Sequence, residues 1–349
     1  MITTAAFTRT GDYVLRLTAR NGQFVAMLVK RTPFTEAEQE RVSSWAERSP
    51  FFALSASPNI DAGRANVYQA FLALDEPSLE ARFVLAYPFD VRPVDDDRPF
   101  FFKYSLWNHL FTKDPMLRGS VPVMEYTVLL LLLTSGCAAL LCVYLPLRWL
   151  YRREGRAPHA SRYGLFFAST GLGYMAVEIA LLQKFGLFLG HPNYALSVVL
   201  SALLLATGLG SLFSAPIVSA LGQLRYVTYV LAAIVLGEYA LARPRLSSMV
   251  GLPLWVRVAL VFALVMPIGV CLGTFFPSAL GRLHSDAGAF VPWAWGINGM
   301  FSVIGPILSV GFSMTWGINA LLLSALPVYL VAGFALPGAD GQTPPSTPS

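Results

Sequence analysis

Long apolar stretches dominate the chain from residue 119 onward, and each is long enough to cross a lipid bilayer. The hydrocarbon core of a bilayer is about 30 Å thick, which a helix spans with roughly 20 apolar residues. Helix is the expected conformation because backbone groups that face lipid must find their hydrogen bonds within the segment. The pattern predicts about seven transmembrane helices, at Val123–Leu145, Leu165–Phe188, Tyr194–Val218, Tyr226–Ala242, Trp255–Phe276, Trp293–Phe312 and Ile318–Phe334.

The first 118 residues follow a different pattern, in which short runs alternate between apolar and polar positions. Tyr13–Arg20 and Gln23–Lys30 are rich in β-forming residues, and Asn21 and Gly22 separate them. An Asn-Gly pair between two such runs predicts a β-hairpin.

A helix follows the predicted hairpin. Thr35 and Glu38 form a Thr-x-x-Glu capping box, which predicts a helix of about a dozen residues ending near Arg48. Weaker patterns predict short helices at Asn66–Leu74 and Leu79–Leu85. Together these elements indicate one side of a small α/β sheet.

Composition divides the chain in the same place. Only 13% of the residues are charged, about half of what soluble domains carry, and 55% are hydrophobic. Most Asp and Glu residues precede Gly119, so we predict a polar domain at 1–118, a helical membrane domain at 119–336 and a disordered tail rich in proline and serine at 337–349. The net charge of +5 fits arginines in loops beside the membrane and does not indicate nucleic-acid binding.

Three runs resemble one known family. They are LGYMAVEIALLQKFGLFLGHPNYALSVVL within the predicted spans, YPFDVRPVDDDRPFFF at Tyr87–Phe102, and FVPWAWGINGMFSVIG at Phe290–Gly305. The chain resembles the C-terminal portion of the membrane-embedded spermidine synthase-like (polyamine aminopropyltransferase-like) proteins of bacteria. The resemblance implies a class I methyltransferase-type domain fused to a multi-span domain in the bacterial inner membrane.

The cofactor turn of such a domain is missing from the sequence. A nucleotide-type α/β domain grips its cofactor with a Gly-rich turn between a strand and a helix, and an acidic residue follows about 20 residues later. Gly11, Gly22 and Gly63 are isolated and open no helix. We therefore expect no cofactor-binding residues, no catalytic residues and a truncated α/β remnant. The four histidines are scattered along the chain, without the spacing of a metal-binding motif, so we expect no metal site.

Glu178 is the most informative single residue, because ionisable groups inside a span are costly. In a functional interpretation, it lines a polar cavity with Gln183, Lys184 and His191 and binds a cation or a polyamine-like amine. Residues six apart on a helix point about 120° from each other, so Lys184 shares the face of Glu178 only if the helix breaks near Gly186. The structural alternative is a carboxylate satisfied by polar groups of a neighbouring span.

Other polar residues are also interpreted in structural or functional terms. Asp95, Asp96 and Asp97 either pair locally in an ordered surface loop or face a cationic amine substrate. Glu238 and Asn298 are expected to form polar contacts between helices.

The positive-inside rule and the family resemblance predict opposite orientations of the chain in the membrane. Five arginines crowd the loop between the first two predicted spans, at Arg148, Arg152, Arg153, Arg156 and Arg162. The positive-inside rule makes this loop cytoplasmic, which places the polar domain on the other side. A domain related to an enzyme with a cytosolic cofactor is expected inside.

Three functions remain open from the sequence. The first is a non-catalytic membrane module that anchors or completes a transferase-like domain. Its partners are the lipid bilayer and either a second chain that carries the missing half-domain or further copies of this chain in a homo-oligomer. The second is a small-solute or polyamine transporter with Glu178 in its pathway. The third is an active aminopropyltransferase or methyltransferase, which the missing cofactor turn argues against.

Overall fold

The chain forms two compact units in the computed structural model, which describes residues 10–20, 24–58, 67–72, 74, 76–111, 122–154, 159–241 and 243–336. One unit ends at Arg92, and the other begins at Pro93 and contains the long helices. The segment 93–111, which the sequence pattern assigns to the front domain, thus belongs with the helices. The predicted disordered tail lies outside the described residues.

The front unit is a small three-stranded sheet with helices. Its elements are β1 (Val14–Ala19), β2 (Val25–Val29), α1 (Glu36–Arg48), β3 (Phe52–Ala56), α2 (Val67–Leu72) and α3 (Pro77–Ala86). The predicted hairpin strands are confirmed, since β1 and β2 pair antiparallel with Val14 opposite Val29. The turn at Asn21 and Gly22 lies outside the described residues.

Local chemistry fixes the start of α1. The hydroxyl of Thr35 accepts a hydrogen bond from the backbone of Glu38, and the Glu38 carboxylate accepts one from the backbone of Thr35 at 2.9 Å. This confirms the predicted capping box. The Lys30 ammonium lies 2.7 Å from the same carboxylate, and it is the main reason that the pKa of Glu38 falls to about 2.

The third strand was not predicted from the sequence. Phe52–Ala56 pairs antiparallel with β1 on the side opposite β2, giving the order β2-β1-β3. The run FALSA is too short to show a clear alternation, so tertiary pairing decides its conformation. All pairings between the described strands are antiparallel, so these strands form no βαβ unit.

The second unit is a helical bundle. Its helices are α4 (Val123–Ala139), α5 (Leu145–Glu154), α6 (Ala160–Leu189), α7 (Pro192–Leu212), α8 (Ser214–Leu221), α9 (Leu224–Leu241), α10 (Arg243–Leu246), α11 (Leu254–Ala287), α12 (Val291–Trp316) and α13 (Ile318–Ala335). A π-helical turn at Leu140–Tyr144 joins α4 to α5, and a 3₁₀ turn at Gly288–Phe290 joins α11 to α12.

Five helical stretches in the described residues are long and apolar enough to cross a membrane, and a bent pair raises the number to six. The bent pair is α8 with α9, which meet at 92°. The predicted third span is shorter than expected, because α7 ends at Leu212 and the chain turns at Phe213. A multi-pass helical membrane architecture is therefore present, and the prediction of about seven spans stays a prediction.

The outer surface of the bundle is apolar. Leu130 and Leu133 of α4 are more than half exposed, as are Leu204 and Leu212 of α7. Exposed apolar patches of this extent are rare on proteins surrounded by water, because burying such side chains is favourable. Lipid is the solvent that suits this surface.

Glycines allow two helices of the bundle to pack with their backbones in contact. A Cβ atom at Gly210 of α7 would overlap the carbonyl oxygen of Val270 on α11, and one at Gly273 of α11 would overlap that of Thr207 on α7. Such close approach is how helices associate in lipid, where apolar side chains gain little from leaving the solvent. The α7–α11 pair is therefore held in backbone contact at two positions, each with a glycine of one helix against a carbonyl group of the other.

We expect Gly210→Ala to destabilise the protein by about 1–3 kcal/mol, because the added methyl group forces α7 away from α11. Gly208→Ala is the matched control, since a Cβ atom at Gly208 meets nothing within 4 Å. Unfolding of purified protein in mixed detergent micelles measures both. Equal stability of the two variants would contradict the close contact.

Candidate functional site

Polar contacts at Asp97, Ser105 and Trp107 hold the segment 93–111 against the bundle. The Asp97 carboxylate reaches α13, the Ser105 hydroxyl donates to the buried carboxylate of Glu125 on α4, and the Trp107 indole donates to Thr315 on α12 at 2.8 Å. Buried polar groups are costly unless they are paired, so each contact fixes its part of the segment. The segment is thus ordered where it passes the start of α13.

Asp97 caps α13 from a distant part of the sequence. Its carboxylate accepts a hydrogen bond from the backbone N–H of Asn319 at 2.7 Å, and its carbonyl oxygen accepts one from Ile318 at 2.8 Å. The carboxylate lies so close to Gly317, which has φ +99°, that a side chain there would collide with it. A negative charge at a helix N-terminus is stabilised by the free N–H groups and the helix dipole.

Asp95 and Asp96 play different parts in the same loop. The Asp95 carboxylate accepts hydrogen bonds from the backbone of Asp97 at 3.0 Å and of Arg98 at 2.7 Å, which closes the turn. Asp96 lies at the tip of this turn and its side chain is exposed. Phe101 and Phe102 are also more than three-quarters exposed, so they are free to meet the bilayer interface.

These three aspartates face a cavity of about 670 Å³ together with one lysine. The cavity, here called the acidic cavity, is lined by Asp95, Asp96, Asp97, Lys184, Leu187, Phe188, Leu246, Val250, Ile318 and Asn319. Carboxylates, one ammonium and the Asn319 amide form its polar part, and apolar side chains of α6, α10 and α13 together with Val250 form the rest. Its volume is in the range of typical small-molecule sites.

Lys184 is paired inside the bundle. Its ammonium lies 3.2 Å from the carboxylate of Glu238 on α9, and both side chains are almost fully buried. The second oxygen of Glu238 and the side-chain oxygen of Gln183 are buried without a hydrogen-bond partner among the described residues. A buried ion pair needs further hydrogen bonds to offset the loss of hydration. A hydrogen-bond donor bound beside the Lys184–Glu238 pair would satisfy these two oxygens.

The structure does not bring the four residues of the predicted Glu178 cavity together. The helix α6 continues without a break to Leu189, so Glu178 and Lys184 lie on different faces. Glu178 is half-buried and makes no hydrogen bond or ion pair with the described part of the chain. It is not among the residues that line the acidic cavity, and neither are Gln183 and His191.

His191 and Asn298 make structural contacts. His191 precedes α7, and its Nδ1 accepts a hydrogen bond from the backbone of Asn193 at 3.2 Å. Asn298 of α12 donates to the carbonyl oxygen of Phe167 at 3.1 Å and to the hydroxyl of Thr170 at 3.3 Å, both on α6. One residue is therefore a helix cap and the other joins two helices.

The charge distribution decides what the acidic cavity can bind. Three carboxylates and one ammonium line it, and the ammonium is already paired with Glu238. A positively charged ligand is thus favoured over an anion. In the described residues, no group of three or more His, Cys, Asp or Glu side chains is arranged to hold a metal ion.

Sequence reasoning identified the aspartates and Lys184 separately, but it did not place them in one cavity. It also missed Leu246, Val250 and the Lys184–Glu238 pair, whose members are 54 residues apart. No local signal links two residues at that separation, since only the packing of α6 against α9 brings them together.

Comparison with known proteins adds no relative. No protein-family model matches the chain, and neither the curated proteins nor the solved structures contain a match. The function must therefore be argued from the geometry.

We expect Asp97→Ala to lower the unfolding free energy by about 1 kcal/mol, because α13 loses its cap. The neighbouring Asp96→Ala is the control, since it removes the same charge from an exposed position without a helix contact. Detergent-induced unfolding of both variants is the measurement. If both variants lose the same stability, the capping role of Asp97 is wrong.

Proposed function

We propose that this chain is the integral membrane module of a spermidine synthase-like protein of the bacterial inner membrane. In this proposal it anchors an α/β transferase-like domain and completes the sheet of that domain, and it is not catalytic by itself. The missing part, with its Gly-rich cofactor turn, comes from polypeptide outside the described residues.

The edge strand β2 is the observation that carries this proposal. Among the described strands it pairs only with β1, and its apolar side chains Val25, Met27 and Val29 are about half exposed or more. An open edge with apolar residues on both faces is a template for another strand. Charged residues usually protect such edges, and β2 contains none.

The helical unit supports the anchoring role. We infer seven spans, because the bent pair α8–α9 adds one span to the five and the 63-residue stretch Leu254–Trp316 is long enough for two. As one straight helix it would measure about 95 Å, roughly three times the hydrocarbon thickness. The 3₁₀ turn at Gly288–Phe290 divides it into α11 and α12, each long enough to cross alone.

Photocross-linking at β2 tests the proposal. With benzoylphenylalanine in place of Met27, we expect cross-links in native membranes to a β-strand of a polypeptide that binds S-adenosyl compounds. The same group in place of Glu40, which is exposed on α1, is the control and should give far fewer. Mass spectrometry identifies the cross-linked peptide.

Cross-links from position 27 only to a second copy of this chain would show a homo-oligomer and contradict the proposed completion of the sheet. Yields equal to those at position 40 would contradict it as well.

A second candidate function is the binding of a cationic amine, and the acidic cavity favours it. A lining that combines carboxylates with apolar side chains suits an alkylamine, whose ammonium groups are separated by methylene chains. The cavity lies at the end of α6 opposite Arg162, so the positive-inside rule places it on the extracytoplasmic side. Glu178, six residues before Lys184, then lies deeper in the membrane along the same helix.

Calorimetry with spermidine tests this candidate. We expect the double variant Asp95→Asn, Asp96→Asn to bind spermidine about tenfold more weakly, because two carboxylates lose their charge. The double variant Glu36→Gln, Glu40→Gln removes two acids from α1 and should bind as the unmodified protein does. Affinity that is unchanged in the aspartate variant would exclude the acidic cavity as an amine site.

A further inference from the structure

A second cavity lies within the bundle and is not used by either proposed function. It measures about 280 Å³ and is here called the central cavity. Its lining comes from five helices and consists of Thr170, Gly171, Tyr174, Thr207, Ser211, Leu272, Gly273, Phe275, Phe276, Pro277, Trp295, Asn298, Ser302 and Tyr329. No Lys, Arg, Asp or Glu occurs in this lining.

Four polar side chains of the central cavity offer acceptors, while Tyr174, Ser211, Tyr329 and Trp295 also bring a hydroxyl or N–H hydrogen to its lining. The hydroxyls of Thr170, Thr207 and Ser302 donate to backbone carbonyls of their own helices, at 3.1, 2.8 and 2.9 Å. Each hydroxyl has one hydrogen, so only lone pairs remain for a ligand. The side-chain N–H groups of Asn298 also donate within the bundle, to Phe167 and Thr170. Its side-chain carbonyl oxygen remains as an acceptor for a ligand.

Aromatic rings form much of the remaining wall. Phe276 lies 4.5 Å from Trp295 between ring centroids, and Phe275 lies 4.9 Å from Tyr329. The faces of such rings carry partial negative charge and attract cations, most strongly for tryptophan. Lone pairs and ring faces together make the cavity electron-rich.

Glu178 of α6 follows the lining residue Tyr174 along the same helix and is not itself part of the lining. It lies four residues after Tyr174, so the two side chains are neighbours on one face of the helix. A cation in the membrane interior is costly unless an opposite charge or strong dipoles compensate it. The hydroxyl and amide dipoles of the lining supply that compensation, and Glu178 places a carboxyl group one helical turn from Tyr174.

We propose that the central cavity binds a small primary ammonium ion, held by the hydroxyl and amide oxygens and by the ring of Trp295. A ligand of this class donates hydrogen bonds where the cavity offers acceptors, and it brings the positive charge that the ring faces attract. The site is separate from the acidic cavity, and anchoring of a transferase-like domain does not require it.

Calorimetry on the purified full chain with cyclohexylammonium tests this proposal. Cyclohexanol and cyclohexanecarboxylate share the same ring and differ in charge, so we expect saturable binding of the ammonium compound only. Binding of the alcohol with equal affinity would overturn the preference for a cation. No saturable binding of any of the three compounds would also overturn the proposal.

Two variants place the binding in this cavity. We expect Trp295→Leu to weaken cyclohexylammonium binding about five- to tenfold through loss of the ring face. Trp316→Leu is the matched control, because Trp316 lies at the other end of α12, is similarly exposed and does not line the central cavity. Thr207→Val keeps the shape of the side chain and removes one acceptor, so it should weaken binding as well.

Unchanged affinity in both Trp295→Leu and Thr207→Val would place the ammonium elsewhere and contradict the central cavity. The aspartates of the acidic cavity separate the two sites, since Asp95→Asn with Asp96→Asn should leave cyclohexylammonium binding in the central cavity intact. Loss of binding in that aspartate variant would overturn the assignment.

Discussion

Direct contact between helix backbones is the constraint on which the bundle depends. Lipid solvates an exposed leucine as well as a protein interior does, so burial of apolar side chains alone contributes little free energy to helix association. The reciprocal glycine contacts of α7 and α11 meet this constraint, and Gly171 of α6 makes a similar approach to Asn298 of α12. Where the pairs α7–α11 and α6–α12 cannot close completely, the hydroxyl and aromatic side chains of the central cavity fill the space between them.

The polar features of the bundle follow from the same solvent. A helix end or a charge that reaches the membrane needs a partner from the protein, and distant residues supply it. Asp97 caps the start of α13, and Arg162 donates to the carbonyl oxygens of Phe334 and Ala335 at its end. Lys184 and Glu238 compensate each other between α6 and α9. Glu178 differs from these residues because it lacks such a partner among the described residues, and this makes it a candidate for function.

The front unit exposes apolar side chains on a sheet instead of on helices. Its sheet is too small to bury its own apolar residues, and β2, an edge strand among the described strands, leaves Val25, Met27 and Val29 exposed. Such an edge is costly in water and invites pairing with another strand. The two units therefore share one property, which is that each presents apolar surface to something outside the described chain. For the helices this is lipid, and for the sheet we propose a transferase-like domain.

The sequence by itself determined the elements whose causes are local. Apolar length predicted the helical bundle, and Thr35 with Glu38 predicted the start of α1, because both signals lie within a few residues. Tertiary structure alone decided the pairing of β3, the turn at Phe213, the Lys184–Glu238 pair and the meeting of Asp97 with α13. The β3 pairing, the Lys184–Glu238 pair and the Asp97 contact join residues from 33 to more than 200 positions apart, and residues so far apart share no periodic pattern in the sequence. Packing between elements, which periodicity does not encode, brought the predicted polar residues into cavities or kept them apart.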